Sequence, residues 1–254
     1  MKPIVRLAMG VVITSFMLAG VSAQAGGECE SLPTAAQLRT MLGNAASGTG
    51  ISATLGPGTT PGGLFGGKLM WAAVVNREGE LCSFVTSTPD PSLVWPGSQA
   101  IAKAKAFTAN AFSNDTLPLS TARLYTFVQP GHSLFGLNNS NPFNPRFLNE
   151  TEATEGGNGR VAGGIITFGG GVPLYNLGGH IVGGLGVSGD TACTDHEIAK
   201  RVRDLAGLNP TGGPLADDIS YSKPDGASVF THPLCVNTVR NGVTIGTELP
   251  AVGY

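Results

Sequence analysis

Apolar residues recur along this chain first at helical spacing, then in strand-length runs, and then at helical spacing again. SLPTAAQLRTMLGNAAS carries Leu38, Met41, Leu42 and Ala45 one helical turn apart, behind Ser31 as N-cap and Pro33 in the first turn, and predicts a helix with one buried face. LMWAAVV and LCSFVTS flank the charged turn NREGE and predict a β-hairpin. SQAIAKAKAFTANAF, starting at Ser98, predicts an alanine-rich second helix that neighbouring backbone can approach closely. RLYTFV reads as a short strand, and GGIITFGGGVPLYNLGGHIVGGLGVSGD as β-branched runs around a hairpin tip at Gly178-Gly179. A third helix follows, with Thr194 as N-cap, Glu197 completing a capping box, Ile198, Val202 and Leu205 as the buried stripe, and Gly207 as the stop. This order predicts an α+β sheet covered by helices.

The segments between these elements change the picture. A Gly/Pro/Thr-rich linker spans Gly48 to Gly67, the loop 129–160 is too long to be a mere connection, and residues 208–254 read as a Gly/Pro/Asp-rich tail that wraps the surface. At the N-terminus, Lys2 and Arg6 precede the apolar run Leu7 to Gly20, followed by Ala23-Gln24-Ala25, the small-x-small pattern of signal cleavage. The expectation is a signal peptide over residues 1–25 and a single domain over 26–254, exported to the periplasm or secreted. The apolar run is shorter than the ~20 residues that span hydrocarbon, and no membrane span is expected after cleavage.

Composition narrows the function. With 38 Gly, 17 Pro and 41% hydrophobic residues, the chain has enough apolar material for a core. Fifteen Lys and Arg against 17 Asp and Glu, without a basic cluster, exclude nucleic acid as a partner. All four cysteines, Cys29, Cys82, Cys193 and Cys235, follow the signal, and their even number in an oxidising compartment predicts disulfides. Three pairings are possible; Cys29 with Cys82 and Cys193 with Cys235 is favoured because each would staple a terminal segment. No cysteines sit at C-x-x-C spacing, and no two histidines pair at metal-ligand spacing.

Two motifs fail on inspection. Gly184-Leu185-Gly186-Val187-Ser188-Gly189 spells G-x-G-x-x-G, but the next helix begins too late for a dinucleotide site, and the glycines read instead as room for helix-on-sheet packing. A nucleophile elbow at Ser188 fails at Asp190. The versatile residues are the histidines. His196 lies in the first turn of the third helix, away from the stripe and on the side of Ala199, Lys200 and Arg203, where it is either a solvated histidine or a haem iron ligand with Lys200 or Arg203 pairing propionates. His180 sits beside the hairpin tip, open to solvent or lining a shallow groove. His132 lies in the long loop and His232 in the tail. Lys105, two residues from Lys103, is either a surface charge or an anion anchor at a pocket edge.

LMWAAVVNREGELCSF, KAFTANAF from Lys105, and GGGVPLYNLGGHIVGGLGVSGDTACTDHEIA together resemble the GlcG/HbpS-like family over roughly residues 31–207. The resemblance implies a profilin-like α+β fold with a five-stranded antiparallel sheet between helices, assembly into homo-oligomers, and binding of haem or another tetrapyrrole; it implies no settled reaction. Asn76 stands where an Asp is usual, and the loop and the cysteines look like a secreted, extended branch.

The expected function is therefore an exported haem-binding protein that buffers or senses haem or iron. His196 is the first choice of metal ligand, His180, His132, Lys105 and Arg203 complete the site for a planar anionic guest, and Phe135, Phe143 or Phe147 supply apolar walls. The alternatives are an enzyme acting on a small organic acid or carbonyl compound through Lys105, His196 or Asp195 in the same cleft, and an accessory oligomer without a ligand.

Overall fold

The computed structural model describes residues 29–144 and 160–249; the expected signal peptide, Phe147 and much of the long loop lie outside them. Helix α1 (Ala35–Ser47) is followed by the hairpin β1 (Trp71–Asn76) and β2 (Leu81–Thr86), helix α2 (Ser98–Ala111), the hairpin β3 (Gly171–Tyr175) and β4 (Ile181–Ser188), and helix α3 (Ala192–Leu205). The four strands pair antiparallel in the order β2-β1-β4-β3. The tail adds two small ladders, β5 (Ser220–Tyr221) with β6 (Thr231–His232), and β7 (Thr238–Arg240) with β8 (Val243–Gly246).

Strand alternation sorts the core into two layers. Ala72, Val74, Val85, Val172, Leu174, Leu185 and Val187 meet Leu38, Leu42, Ile198 and Val202 of α1 and α3. The opposite face, with Trp71, Ala73, Val75, Leu81 and Phe84, meets Ala102 and Ala106 of α2. Both faces are covered, so β1 and β2 are buried at every position and largely apolar rather than alternating with exposed polar positions. Close approach of α2 needs the glycines of β4. A methyl group at Gly186 would fall well inside 3.0 Å of the Ala102 carbonyl oxygen and the Ala106 nitrogen, and Gly184 is crowded against Ala106 and Asn110 in the same way. The G-x-G-x-x-G run is a packing surface, as its sequence context indicates.

Both favoured disulfides are present. Cys29–Cys82 ties the N-terminal segment to β2, and Cys193–Cys235 ties α3 to the tail. No helix among the described residues is long and apolar enough to cross a membrane.

Three local expectations change. The N-cap of α1 is Thr34, whose side chain accepts from the Gln37 amide while Gln37 bonds back, three residues beyond Ser31. The N-cap of α3 is Thr191, which accepts from the Thr194 amide, so Thr194 lies inside the first turn. RLYTFV forms two 3₁₀ turns, Thr121–Leu124 and Thr126–Val128, and the main sheet has four strands among the described residues, not five. Side chains hold this segment where a ladder would have run: Thr121 Oγ1 donates to the Phe168 carbonyl and accepts from the Gly171 amide, and Thr126 Oγ1 donates to the Thr231 carbonyl.

Candidate functional site

The predicted site residues divide into a buried group and an exposed group. Lys105, His196 and Arg203 are completely buried. An amphipathic α3 with one polar face was expected, but every residue from Cys193 to Arg203 is buried, because residues 217–241 of the tail close over the side that its apolar stripe leaves free. The expectation that His196 points to solvent is thereby overturned. A haem iron would have to displace the tail to reach it.

The charged groups of this interior pair largely with one another. Lys105 Nζ pairs with Asp195 Oδ2 at 2.7 Å and donates to the Val187 carbonyl at 3.0 Å. Burial pushes the Asp195 carboxyl up to about 6 and lowers the Lys105 amine, while their mutual attraction opposes both shifts. Arg203 grips Asp217 with two bonds, of 3.0 and 2.6 Å, and spends others on the Pro173 and Pro214 carbonyls, so it holds the tail rather than a propionate. Lys200 pairs with Glu197 at 2.7 Å and Asp218 at 2.5 Å. Burial alone would raise Asp218, but the Lys200 charge leads the effects that outweigh it and hold that carboxyl far below the usual range. The His196 Nε2 accepts from the Ile219 amide at 3.2 Å, and burial lowers the ring's pKa, keeping it neutral. The cleft expected to serve an enzyme through Lys105, His196 and Asp195 does not open here.

His180 is the exception. At the end of the β3–β4 turn its ring is 70% exposed, and its Nδ1 lies 2.9 Å from Asp115 Oδ2. Asp115 Oδ1 also accepts from the Ile181 amide, and the His180 bond leads the effects that lower its carboxyl pKa. This clasp joins the β3–β4 turn to the Asn114–Leu117 turn beyond α2, which Asn114 Oδ1 organises by accepting from the Thr116 and Leu117 amides. Between them is a groove of about 510 Å³ lined by Arg77, Asn114, Asp115, Thr116, His180 and Ile181. Arg77 is steadied by the Asn110 carbonyl and Oδ1 and by the Ser113 carbonyl, placing a cation at the rim.

Other expected parts lie elsewhere. His132 is exposed in the long loop, Phe135 is 67% exposed, and Phe143 packs against Gly164 near Ala104 on the outer side of α2. None of the three lines the His180 groove. Asn76 is buried in its hairpin, accepting from the Glu78 and Glu80 amides and donating to the Glu80 carboxylate. Asp115 was missed by the sequence reading; its position among Asn, Ser and Thr in a turn carries no local signal of a partner 65 residues away.

Residues 66–204 match the family described as haem degrading protein HbpS-like. A corrinoid adenosyltransferase, PduO of Citrobacter freundii, is 34% identical over 121 residues, covering 48% of this chain and 27% of that protein. The chain thus spans about a quarter of that curated relative. Similar solved structures include a PduOC–haem complex (24% identity, TM-score 0.44, 70% of this chain and 94% of that one) and a Klebsiella pneumoniae protein, ORFY (22%, 0.44, 68% and 87%). HbpS is a third, at 21% identity and a TM-score of 0.37, covering 55% of this chain and 74% of that one. With a match extending from before β1 to the end of α3, this chain belongs to the HbpS-like family.

Proposed function

We propose that this protein binds haem, with the His180 Nε2 as axial donor at the groove between the β3–β4 turn and the Asn114–Leu117 turn, and that it acts in haem or iron buffering or sensing outside the cytoplasm. The carrying observation is the His180–Asp115 clasp. A carboxylate on Nδ1 fixes the ring's orientation and tautomer, as the outer partners of metal-ligating histidines do. That leaves Nε2 for a ligand, on a ring that solvent already reaches.

The residues fit the group in three respects. The groove volume lies within the ~300–1,000 Å³ of small-molecule sites. Arg77 supplies a positive rim for a carboxylate, and Ile181, with the exposed Leu117 and Leu177 of the two turns, supplies apolar surface. Haem would contribute the iron and its redox and ligand chemistry; the chain's own part is to orient the ring through Asp115 and to neutralise propionate. The groove is open on one side, where a second copy would complete the enclosure of the ligand, in line with the homo-oligomers that the family resemblance implies. Two disulfides, together with the signal sequence expected over residues 1–25, support an oxidising, exported location.

The test is a hemin titration of the mature, oxidised protein followed by absorption. Wild type should give a shifted Soret band, His180→Ala should lose it, and Asp115→Asn should weaken hemin affinity about 10–100-fold. His196→Ala should keep the wild-type spectrum. A spectrum lost with His196→Ala but kept with His180→Ala would defeat this assignment.

A further inference from the structure

Two Cys/His pairs converge where the tail crosses α3. Cys193 and His196 are three residues apart on one face of α3, and His232 and Cys235 are three apart in the tail. Ligand atoms of Cys193, His232 and Cys235 all lie within 4.8 Å of one another. His196 adjoins them through Gly169, whose amide donates to the His232 Nε2 at 3.3 Å and whose Cβ, if present, would stand 3.0 Å from that of His196. The four residues are at most 8% exposed. The His196 Nδ1 is buried without a hydrogen-bond partner.

We propose that reduction of the Cys193–Cys235 bridge unmasks a Cys₂His₂ site for zinc, formed by the two sulfurs, a ring nitrogen of His232 and the His196 Nδ1. A dithiol reductant supplies two electrons and two protons and itself becomes a disulfide, leaving two thiols. Zinc then displaces both thiol protons and is bound as a neutral bis-thiolate, bis-imidazole centre. The sulfurs separate to about 3.7 Å, the tetrahedral spacing for Zn–S bonds of ~2.3 Å.

The surroundings suit this chemistry. With Nδ1 on the metal, the His196 Nε2 carries the proton and faces Asp218 Oδ1 at 3.4 Å, completing a carboxylate–histidine–zinc relay. The Ile219 amide that now donates to the His196 Nε2 also donates to Asp218 Oδ1 at 2.8 Å, so it keeps a partner. His232 Nδ1 lies 2.7 Å from the Pro233 carbonyl, an outer partner of the same kind. The consequence is an anchor that survives a change of redox state: the bridge holds the tail on α3 when oxidised, and zinc holds it when reduced.

The experiment is cobalt(II) titration of the mature protein after reduction with a water-soluble phosphine, which takes oxygen from water as the bridge takes up hydrogen. The expected result is one cobalt per chain, with thiolate charge transfer in the near ultraviolet and tetrahedral d–d bands that zinc bleaches, none of it in the oxidised protein. Cys29→Ala/Cys82→Ala should retain the signal, while His232→Ala and His196→Ala should each weaken cobalt at least tenfold. Zinc should raise the melting temperature of the reduced protein and leave that of the oxidised protein unchanged. The proposal is overturned if the bands persist in Cys193→Ser/Cys235→Ser, or if reduced wild type fails to recover native circular dichroism with zinc. An unchanged affinity in His196→Ala would overturn the fourth ligand.

Discussion

Replacing one glycine by alanine at two positions should change stability in opposite directions, and the sign follows from what stands within reach of the new methyl group. At Gly186, in β4, a Cβ would lie under 3.0 Å from backbone atoms of Ala102 and Ala106 and 2.9 Å from the Lys105 Cβ. Backbone cannot swing aside as a side-chain tip does, so α2 must lift from the sheet. A lift of ~0.5–1 Å forfeits roughly a quarter to a half of each dispersion contact it opens, and the layer opened here is that of Trp71, Ala73, Val75, Phe84, Ala102 and Ala106. Overpacking of this kind costs ~1–3 kcal/mol, and the backbone contact puts Gly186→Ala near 3. Gly43, exposed inside α1, has nothing within 4 Å of its would-be Cβ. There the substitution only restricts the unfolded chain and improves helix propensity, a gain of about 0.5–1 kcal/mol. Urea unfolding of the oxidised protein, with m constant across the three chains, measures both. A Gly186→Ala protein within about 0.5 kcal/mol of wild type would refute the claim that these glycines exist to let α2 approach.

The Arg203–Asp217 pair gives a second test: Arg203→Met alone should cost about 3–5 kcal/mol by stranding a buried carboxylate, whereas Arg203→Met with Asp217→Leu should cost much less than the two single changes together, as a double-mutant cycle in urea will read. The buried His232 gives a third. Its folded pKa is lowered to about 4 from 6.5, so between those values the unfolded chain takes a proton that the folded chain refuses, and stability is lost as the pH falls. The stability advantage of wild type over His232→Gln should shrink by about 3 kcal/mol from pH 7 to pH 4. Taking this difference removes the opposing contribution of Asp195, whose raised pKa of about 6 acts the other way; a constant advantage across the range would mean that the ring is charged in the folded protein.

Local sequence determined the helices, both hairpins and the use of β4 glycines, because apolar spacing and turn residues act over one or two turns of chain. It also favoured the disulfide pairing, since a staple at each terminal segment needs only chain order. Even the N-caps moved by no more than a few residues, from Ser31 to Thr34 and from Thr194 to Thr191. Tertiary structure decided which polar residues see water. The pattern of α3 marks the face that meets the sheet, but the tail that buries its other face is held there by long-range partners: the Cys193–Cys235 bridge, a small apolar cluster with Ile219 and Tyr221, and the ion pairs Arg203 with Asp217 and Lys200 with Asp218. Those ion pairs lie 14 and 18 residues apart in the chain, and nothing in either partner's neighbourhood announces the other. His196, Lys105 and Arg203 were therefore read as a rim and proved to be interior. His180 stayed outside because it sits on the exposed β3–β4 turn, where it meets Asp115, a partner that only folding supplies.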